Sequence, residues 1–490
     1  MLGAAMAGAA AVPVNARYQP AELAYLIENA DLVALVTDGV PDGPVDFLGR
    51  LRAALPTLSL AETGLGLHLP EAPKLRTLAA TGGASAGGVA AAQDMLVDGD
   101  GVSDFDLDAR IDRVAPDETA IVLYTSGTTA NPKGCLITHR AITGNARALA
   151  KRYDIRAGDR FWSPLPMFHI AGILPLTGAI DRGAAYLTIP NFEAGMALDM
   201  LSGEGATHAY PCFVTIMQDL VNHPRFGDVD LSRVRLMNSN LAVQPHWIAK
   251  AIAKAMPQAA QVGTYGLTEG VGTICTSRPD DPYDLRVGRL GVPLDDWEVK
   301  IADPETGLPR AVGEQGEILA RGPNAMKGYY RDPDKTAATF DAEGWMRTGD
   351  IGSIDASGHI MFHGRLKDML KVGGENVAAV EIEAVLDSHP AVRLSQVVGM
   401  PDPRYAEVPA AFVELKAGEA ATEAELIEFC QGKIARFKIP RAVRFVSSWP
   451  MSTTKIQKFQ LRDRLLGEAG GEGASPAAPD RLTAASAGPR

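Results

Sequence analysis

The chain has 490 residues with a formal net charge of −12, and 46% of them are apolar and 22% charged. That length exceeds one ordinary core, so two or more domains are expected. The acidic balance argues against a nucleic-acid or anionic-membrane partner, whose phosphates call for a basic footprint. The four cysteines, Cys135, Cys212, Cys275 and Cys430, show neither disulfide-framework nor metal-ligand spacing, which points to a reducing cytoplasm. No apolar run approaches the roughly 18 residues that would span a bilayer.

The opening "MLGAAMAGAAAVPV" has no Lys or Arg before Arg17, unlike a signal segment, and reads as the edge of a core. Apolar strands "AAAVPV" and "LVALVTD" flank a helical "AELAYLIENA", which suggests α/β layering. Small residues from Thr81 to Gly88 predict a flexible loop. "AIVLY" is a buried strand and "CLIT" a second, with Thr138 placed to cap a helix through "AITGNARALAKRY". Pro245 opens a helix that puts Ile248, Ile252 and Met256 on one face. "QVGTYG" predicts a strand entering a turn. Past Arg365 the texture becomes a compact α+β module. In it "VEIEAVLDSH" is helical, "LSQVVGM" a strand, and Thr422 with Glu425 a capping box before a helix "LIEFCQGKIARF". Residues 467–490 lack periodicity and bulk and predict a disordered tail. There is no internal repeat.

Between the strands "AIVLY" and "CLIT" lies "YTSGTTANPKG", Tyr124 to Gly134, which has the period of neither helix nor strand. Its hydroxyls, its glycines and Lys133 would suit a phosphate chain, while an ordinary surface turn is the plain alternative. It is not a Walker A loop: Pro132 precedes Lys133, and Gly134 follows where Ser or Thr would hold Mg²⁺. "TYGLTEG" sets Thr268 and Glu269 at the end of a strand, where ligand loops of α/β sheets cluster. A carboxylate there can hold Mg²⁺ that bridges phosphates. "GWMRTGDIG" offers Asp350 in a turn, able to accept from two ribose hydroxyls or simply to form an Asx-turn. Arg365 can neutralise phosphate or bind ribose. Lys455 and Lys458 stand in a polar loop, where exposed lysines are ordinarily solvated.

Together, "YTSGTTANPKG", "YGLTEG", "TGD", "GRLKDMLKVGGENV" and "PMSTTK" resemble the adenylate-forming (ANL) superfamily, in its acyl-CoA synthetase or AMP-dependent CoA ligase branch, over roughly Gly8 to Leu466. The resemblance implies an α/β chain. A large multi-subdomain adenylation domain would span residues 1–364, and a small mobile α+β lid residues 365–466, with its hinge near Lys367. It puts the phosphate loop on Thr125, Ser126, Gly127, Thr128, Thr129 and Lys133. Tyr265 falls beside adenine, the phosphate hydroxyl on Thr268, and the Mg²⁺ acid on Glu269. Asp350 and Arg365 match the ribose pair, and Lys455 the lysine of the first half-reaction, with Lys458 a second candidate. "PLPMFHIAG" places His169 where acyl and pantetheine groups meet, with a core histidine as the plain alternative. Gly373, Gly374 and Ala242 would border the CoA and acyl channel. Mg²⁺ is the implied cofactor, ATP and CoA are co-substrates, and a homodimer is the assembly left open.

The chain departs from the family pattern in four places. The segment that usually lies upstream of "GAAAVPVN" is almost lacking, which reads either as a truncated start or as a tolerated loss. Ala130 replaces a glycine, at a cost of about 1 kcal/mol if the backbone there is left-handed. "MNSNLAV" (237–243) replaces a Gly-Gly-Ala turn, and "PMSTTK" is a residue short with no Gly before its lysine. The expected activity is ATP-dependent acyl-CoA ligation of a fatty, aryl or alicyclic acid, since Phe168 and His169 stand where an amino-acid activator would show an Asp. A stand-alone enzyme loading a carrier protein and a catalytically inactive homologue are the alternatives.

Overall fold

The structure is a computed structural model that describes residues 1–40, 45–82, 87–125, 132–239, 246–372, 375–451 and 456–469. The chain divides into two compact units, Met1–Lys367 and Asp368–Arg490. The first opens on a short helix, α1 (Leu2–Met6), which buries none of its residues. "AAAVPV" is not a full strand: Ala11 makes a single parallel bridge to Ile121, and Pro13, without an N–H, cannot extend the ladder. Val12 and Val14 do pack at the edge of a core. The helix α2 (Pro20–Asn29) begins with Pro in its first turn and turns Leu23, Leu26 and Ile27 inward. Glu22 accepts from the Gln19 N–H at 2.8 Å, closing its N-terminus. It lies with a parallel sheet of β1 (Ala34–Asp38), β2 (Thr77–Thr81) and β3 (Ala90–Ala91).

Next comes an antiparallel hairpin, β4 (Thr119–Thr125) and β5 (Lys133–Thr138), in which Thr125 faces Lys133 and Tyr124 faces Gly134. Thr138 caps the helix α3 (His139–Arg152), its hydroxyl accepting from the Ala141 N–H at 3.1 Å. The central sheet is wholly parallel, with spatial order β10-β9-β8-β6-β7. Its members are β6 (Arg160–Trp162), β7 (Ala185–Leu187), β8 (His208–Ala209), β9 (Leu236–Asn238) and β10 (Ala260–Val262). Helices α4 (Ile170–Arg182) and α5 (His246–Ala255) belong to its crossovers, and Ile248, Ile252 and Met256 are buried.

"QVGTYG" is two strands rather than one. The chain leaves β10 at Gly263, where a Cβ would stand 2.2 Å from the Arg289 carbonyl oxygen, and enters a second sheet as β11 (Thr264–Leu267). Its partners are β12 (Gly272–Thr276) and β13 (Val292–Pro293). An antiparallel sheet of order β14-β15-β17-β18 closes the unit. It is built from β14 (Glu298–Ala302), β15 (Gly316–Arg321), β17 (Met346–Ile354) and β18 (Ile360–Arg365). The two-residue strand β16 (Gly328–Tyr329) returns to pair with β5.

The second unit is an α+β module. Its sheet has β19 (Met369–Val372), β20 (Glu375–Ala378), β21 (Val392–Asp402), β22 (Ala406–Leu415) and β23 (Ala442–Phe445), covered by α6 (Ala379–Leu386) and α7 (Glu423–Cys430). Thr422 and Glu425 form the capping box of α7, but that helix ends at Cys430 instead of continuing to Phe437, and Gly432 at φ +73° turns the chain. The last helix, α8 (Lys458–Ala469), runs past residue 466. Its Lys458 grips Glu383 of α6, Nζ to Oε1 2.6 Å, with both side chains largely buried.

One turn carries strain. Val271, fully buried and β-branched, sits in the left-handed region at φ +52°, a conformation such residues rarely adopt. Asn145 holds it: Nδ2 donates to the carbonyls of Val271 and Thr273, both at 2.9 Å, and Oδ1 accepts from Trp297 Nε1 at 3.0 Å. Asn145→Ala would leave these buried groups unpaired, so we expect a loss of roughly 2–4 kcal/mol, read as a lower thermal unfolding midpoint. An unchanged midpoint would show that the brace contributes nothing.

Candidate active site

Three strands, β11, β17 and β18, and one turn assemble the site within the first unit. Asp350 lies inside β17, not in a turn, and faces Arg365 of β18 in register. Arg365 Nε stands 3.0 Å from Asp350 Oδ1, and the Asp350 side chain is 3% exposed. Tyr265, at the centre of β11, donates its hydroxyl to Asp350 Oδ2 at 2.9 Å. These side-chain partners are far away in sequence, so the Asx-turn reading of Asp350 does not hold. Burial, and after it the Asp350 charge, pushes the Tyr265 hydroxyl well above its ordinary pKa, so it stays a donor.

Three residues beyond Tyr265, the chain leaves β11 in a 3₁₀ turn, Thr268–Gly270, that presents Thr268 and Glu269 half-buried. The Glu269 carbonyl accepts from the Met326 N–H at 2.8 Å. Its carboxylate Oε1 accepts from the Tyr329 hydroxyl, also at 2.8 Å. The Lys133 ammonium lies 5.9 Å from the Tyr329 ring centroid. A carboxylate and an ammonium thus meet around one tyrosine at the exit of the β4–β5 connection. Burial, followed by the Glu269 charge, raises the Tyr329 hydroxyl far above the usual range, so it too remains a donor.

The flanks of that connection are fixed from outside. Tyr25 of α2 donates to the Pro132 carbonyl at 3.2 Å, and Tyr124 donates to Asn29 Oδ1 at 2.6 Å. Thr125 and Lys133 close the hairpin. Ser126, Gly127, Thr128, Thr129 and Ala130 lie outside the described residues, as do Ala242, Gly373, Gly374 and Lys455. Lys367, in the 3₁₀ turn Leu366–Asp368, is the last residue of the first unit. His169 is the N-cap of α4 rather than a plain core residue. Its Nδ1 accepts from the Ala171 N–H at 3.2 Å, and its ring meets Phe213 edge-on with centroids 5.6 Å apart. In the neutral ring the proton therefore resides on Nε2.

Sequence reasoning missed Tyr329, Met326 and Asn145. Each reaches the Glu269 turn across 57 or more positions of the chain, and only "KGYY", a glycine before two tyrosines without period, marked the first of them. For a cation, the described residues offer Glu269 but no cluster of three or more His, Cys, Asp or Glu. That donor set suits Mg²⁺, which is usually held by one or two carboxylates together with substrate phosphates.

The family model described as AMP-binding enzyme matches residues 1–330, and the one for its C-terminal domain matches residues 381–455. The chain belongs to the AMP-binding enzyme family. A 3-[(3aS,4S,7aS)-7a-methyl-1,5-dioxo-octahydro-1H-inden-4-yl]propanoyl:CoA ligase of Rhodococcus jostii is 34% identical over 464 residues, 94% of this chain and 85% of that one. The mitochondrial medium-chain acyl-CoA ligase ACSF2 of Rattus norvegicus is 32% identical over 478 residues, covering 95% and 76%. Among solved structures, the anthranilate CoA ligase AuaEII in complex with anthranoyl-AMP superposes with a TM-score of 0.76 at 27% identity, covering 94% and 84%. This AMP-binding enzyme is thus an α/β chain with a large N-terminal and a small C-terminal part. Among its described residues no helix is long and apolar enough to cross a membrane.

Removing the Tyr265 hydroxyl leaves the buried Asp350 carboxylate short of one donor. Tyr265→Phe is expected to weaken ATP binding about tenfold, as a hydrogen bond to a charged group implies. Calorimetric titration with ATP measures it, and an affinity within about twofold of wild type would detach Tyr265 from the nucleotide site.

Proposed function

We propose that this AMP-binding enzyme is an ATP-dependent acyl-CoA ligase. The reading rests on one arrangement: the stretch Tyr265–Glu269 touches Asp350 at one end and, through Tyr329, Lys133 at the other. That arrangement supports a ribose-type acceptor at one end of the stretch and a phosphate-type cation at the other, in the order of a nucleotide's own groups.

In this reading Asp350 accepts from the ribose hydroxyls while Tyr265 and Arg365 hold it in place. Thr268, Lys133 and the hydroxyls of Thr125, Ser126, Thr128 and Thr129 bind the phosphates. Glu269 would hold Mg²⁺, which would neutralise phosphate charge when bound together with ATP. An oxygen of the acid attacks the α-phosphorus, the bond to the bridging oxygen of the β-phosphate breaks, and pyrophosphate leaves. Lys455, on the second unit, donates to the charge that develops. That unit then turns about Lys367, and the coenzyme A thiolate attacks the acyl carbon and expels AMP. Gly373 and Gly374 offer backbone without side chains to the narrow pantetheine arm, and His169 and Ala242 border its meeting point with the acyl group. The residues around His169 and from Cys212 to Met217 carry few charges, which favours an apolar or aromatic acid. All four cysteines are free thiols, which supports a cytoplasmic setting.

A panel of fatty, aryl and short-chain acids with ATP and Mg²⁺, followed by pyrophosphate release with and without coenzyme A, tests the reading. Turnover that rises with coenzyme A for an apolar acid is the expected result. Turnover indifferent to coenzyme A points instead to a carrier-protein acceptor, and none with any acid refutes the enzyme. Lys455→Ala is expected to abolish adenylate formation and spare thioester formation from supplied acyl-AMP. Equal loss of both half-reactions would remove Lys455 from its assigned role.

A further inference from the structure

Glu269 is held by a segment, Met326–Tyr330, that carries no motif of its own. The segment is laid along β5: the Lys327 N–H donates to the Leu136 carbonyl at 2.8 Å and the Tyr330 N–H to the Gly134 carbonyl at 2.7 Å. Between them Tyr329 pairs with Cys135, and its N–H donates to Thr336 Oγ1 at 2.9 Å. Gly328 sits at φ +148°, and a Cβ there would stand 2.7 Å from Thr336 Cγ2, so the close pass needs glycine. The main chain on both sides of Tyr329 is therefore fixed, and the residue is 9% exposed. From that position its hydroxyl reaches Glu269 Oε1, while Met326 in the same segment holds the Glu269 carbonyl.

We propose that Tyr329 is a positioning residue for the metal: by donating to one oxygen of Glu269 it fixes that carboxylate and leaves the other oxygen for the cation that accompanies ATP. The proposal rests on the reading of Glu269 as the Mg²⁺-binding acid. An ionised carboxylate has about four lone-pair sites, so one donated proton leaves capacity for a cation. A glutamate held in one rotamer loses less freedom when the metal binds than a free one does. The same segment lies under Lys133, so the anionic and cationic ends of the phosphate site share one support.

The test uses the whole protein with Mn²⁺ and a non-hydrolysable ATP analogue, bound cation being read by electron paramagnetic resonance. Tyr329→Phe removes one oxygen and keeps the ring; Tyr329→Met is the second variant, and near-ultraviolet circular dichroism checks that both are folded. Tyr330→Phe is the control. It removes the hydroxyl next door, which donates to Asp31 Oδ2 at 2.8 Å. Both Tyr329 variants are expected to bind Mn²⁺ about tenfold more weakly than wild type. The Mg²⁺ concentration for half-maximal pyrophosphate release should rise by a similar factor while kcat at saturating Mg²⁺ holds, and Tyr330→Phe should match wild type. Equal Mn²⁺ affinity in wild type and the Tyr329 variants overturns the inference and leaves the proposed function intact. Equal weakening in the Tyr330 control assigns the loss to packing and overturns it as well. A wild-type protein that binds no Mn²⁺ with the nucleotide overturns the reading of Glu269 itself.

Discussion

The site depends on a turn that the local backbone alone would not hold. Two residues after Glu269 stands a buried valine in a left-handed conformation, and the carboxamide of Asn145 secures the carbonyls that this conformation turns inward. Asn145 lies on the buried face of α3 among Ala141, Ile142, Ala146 and Leu149, so the constraint passes straight to the main core. A buried carboxamide with its groups satisfied on both sides specifies one geometry, because any other would strand polar atoms away from water. Trp297 completes the set from the far side.

Around that turn the partners divide by chemistry. Toward Asp350 the contacts are made by a hydroxyl and a guanidinium, groups that stabilise a carboxylate as an acceptor. Toward Glu269 the carboxylate receives a single tyrosine hydroxyl, while the Met326 N–H goes to the main-chain carbonyl of the same residue. The difference matches the two tasks proposed for these acids: binding neutral hydroxyls and binding a cation. In the second unit Lys458 is committed to Glu383.

What the sequence disclosed is what chemistry fixes locally. "YTSGTTANPKG", "YGLTEG" and "TGD" are legible because each compresses hydroxyls, glycines or an acid into a few positions, and the hairpin, the Thr138 cap and the Thr422–Glu425 box follow from short-range hydrogen bonding. Family membership was legible for the same reason. Features set by distant chain were not. Gly263 breaks a strand because of a carbonyl at Arg289, and α7 stops at Cys430 although the apolar pattern runs on. Tyr329 meets Glu269 through a return strand of two residues, too short to leave a period. Asp350 looked like a turn residue because of the adjacent Gly349, yet that glycine, at φ +69°, lies inside a strand.

The single bridge near the start of the chain has a consequence of another kind. β4 is the outer strand of its sheet, whose order is β16-β5-β4, and its free edge leads directly to the phosphate-loop candidate. The Ala11 N–H donates to the Ala120 carbonyl at 2.8 Å and the Val122 N–H donates to the Ala11 carbonyl at 2.9 Å, so this stretch of chain shields part of an edge that could otherwise template pairing with another molecule. Proline two positions later prevents the shield from growing into a strand of its own. Residues 9–14 therefore cover part of the outer edge of the strand that leads into the β4–β5 connection.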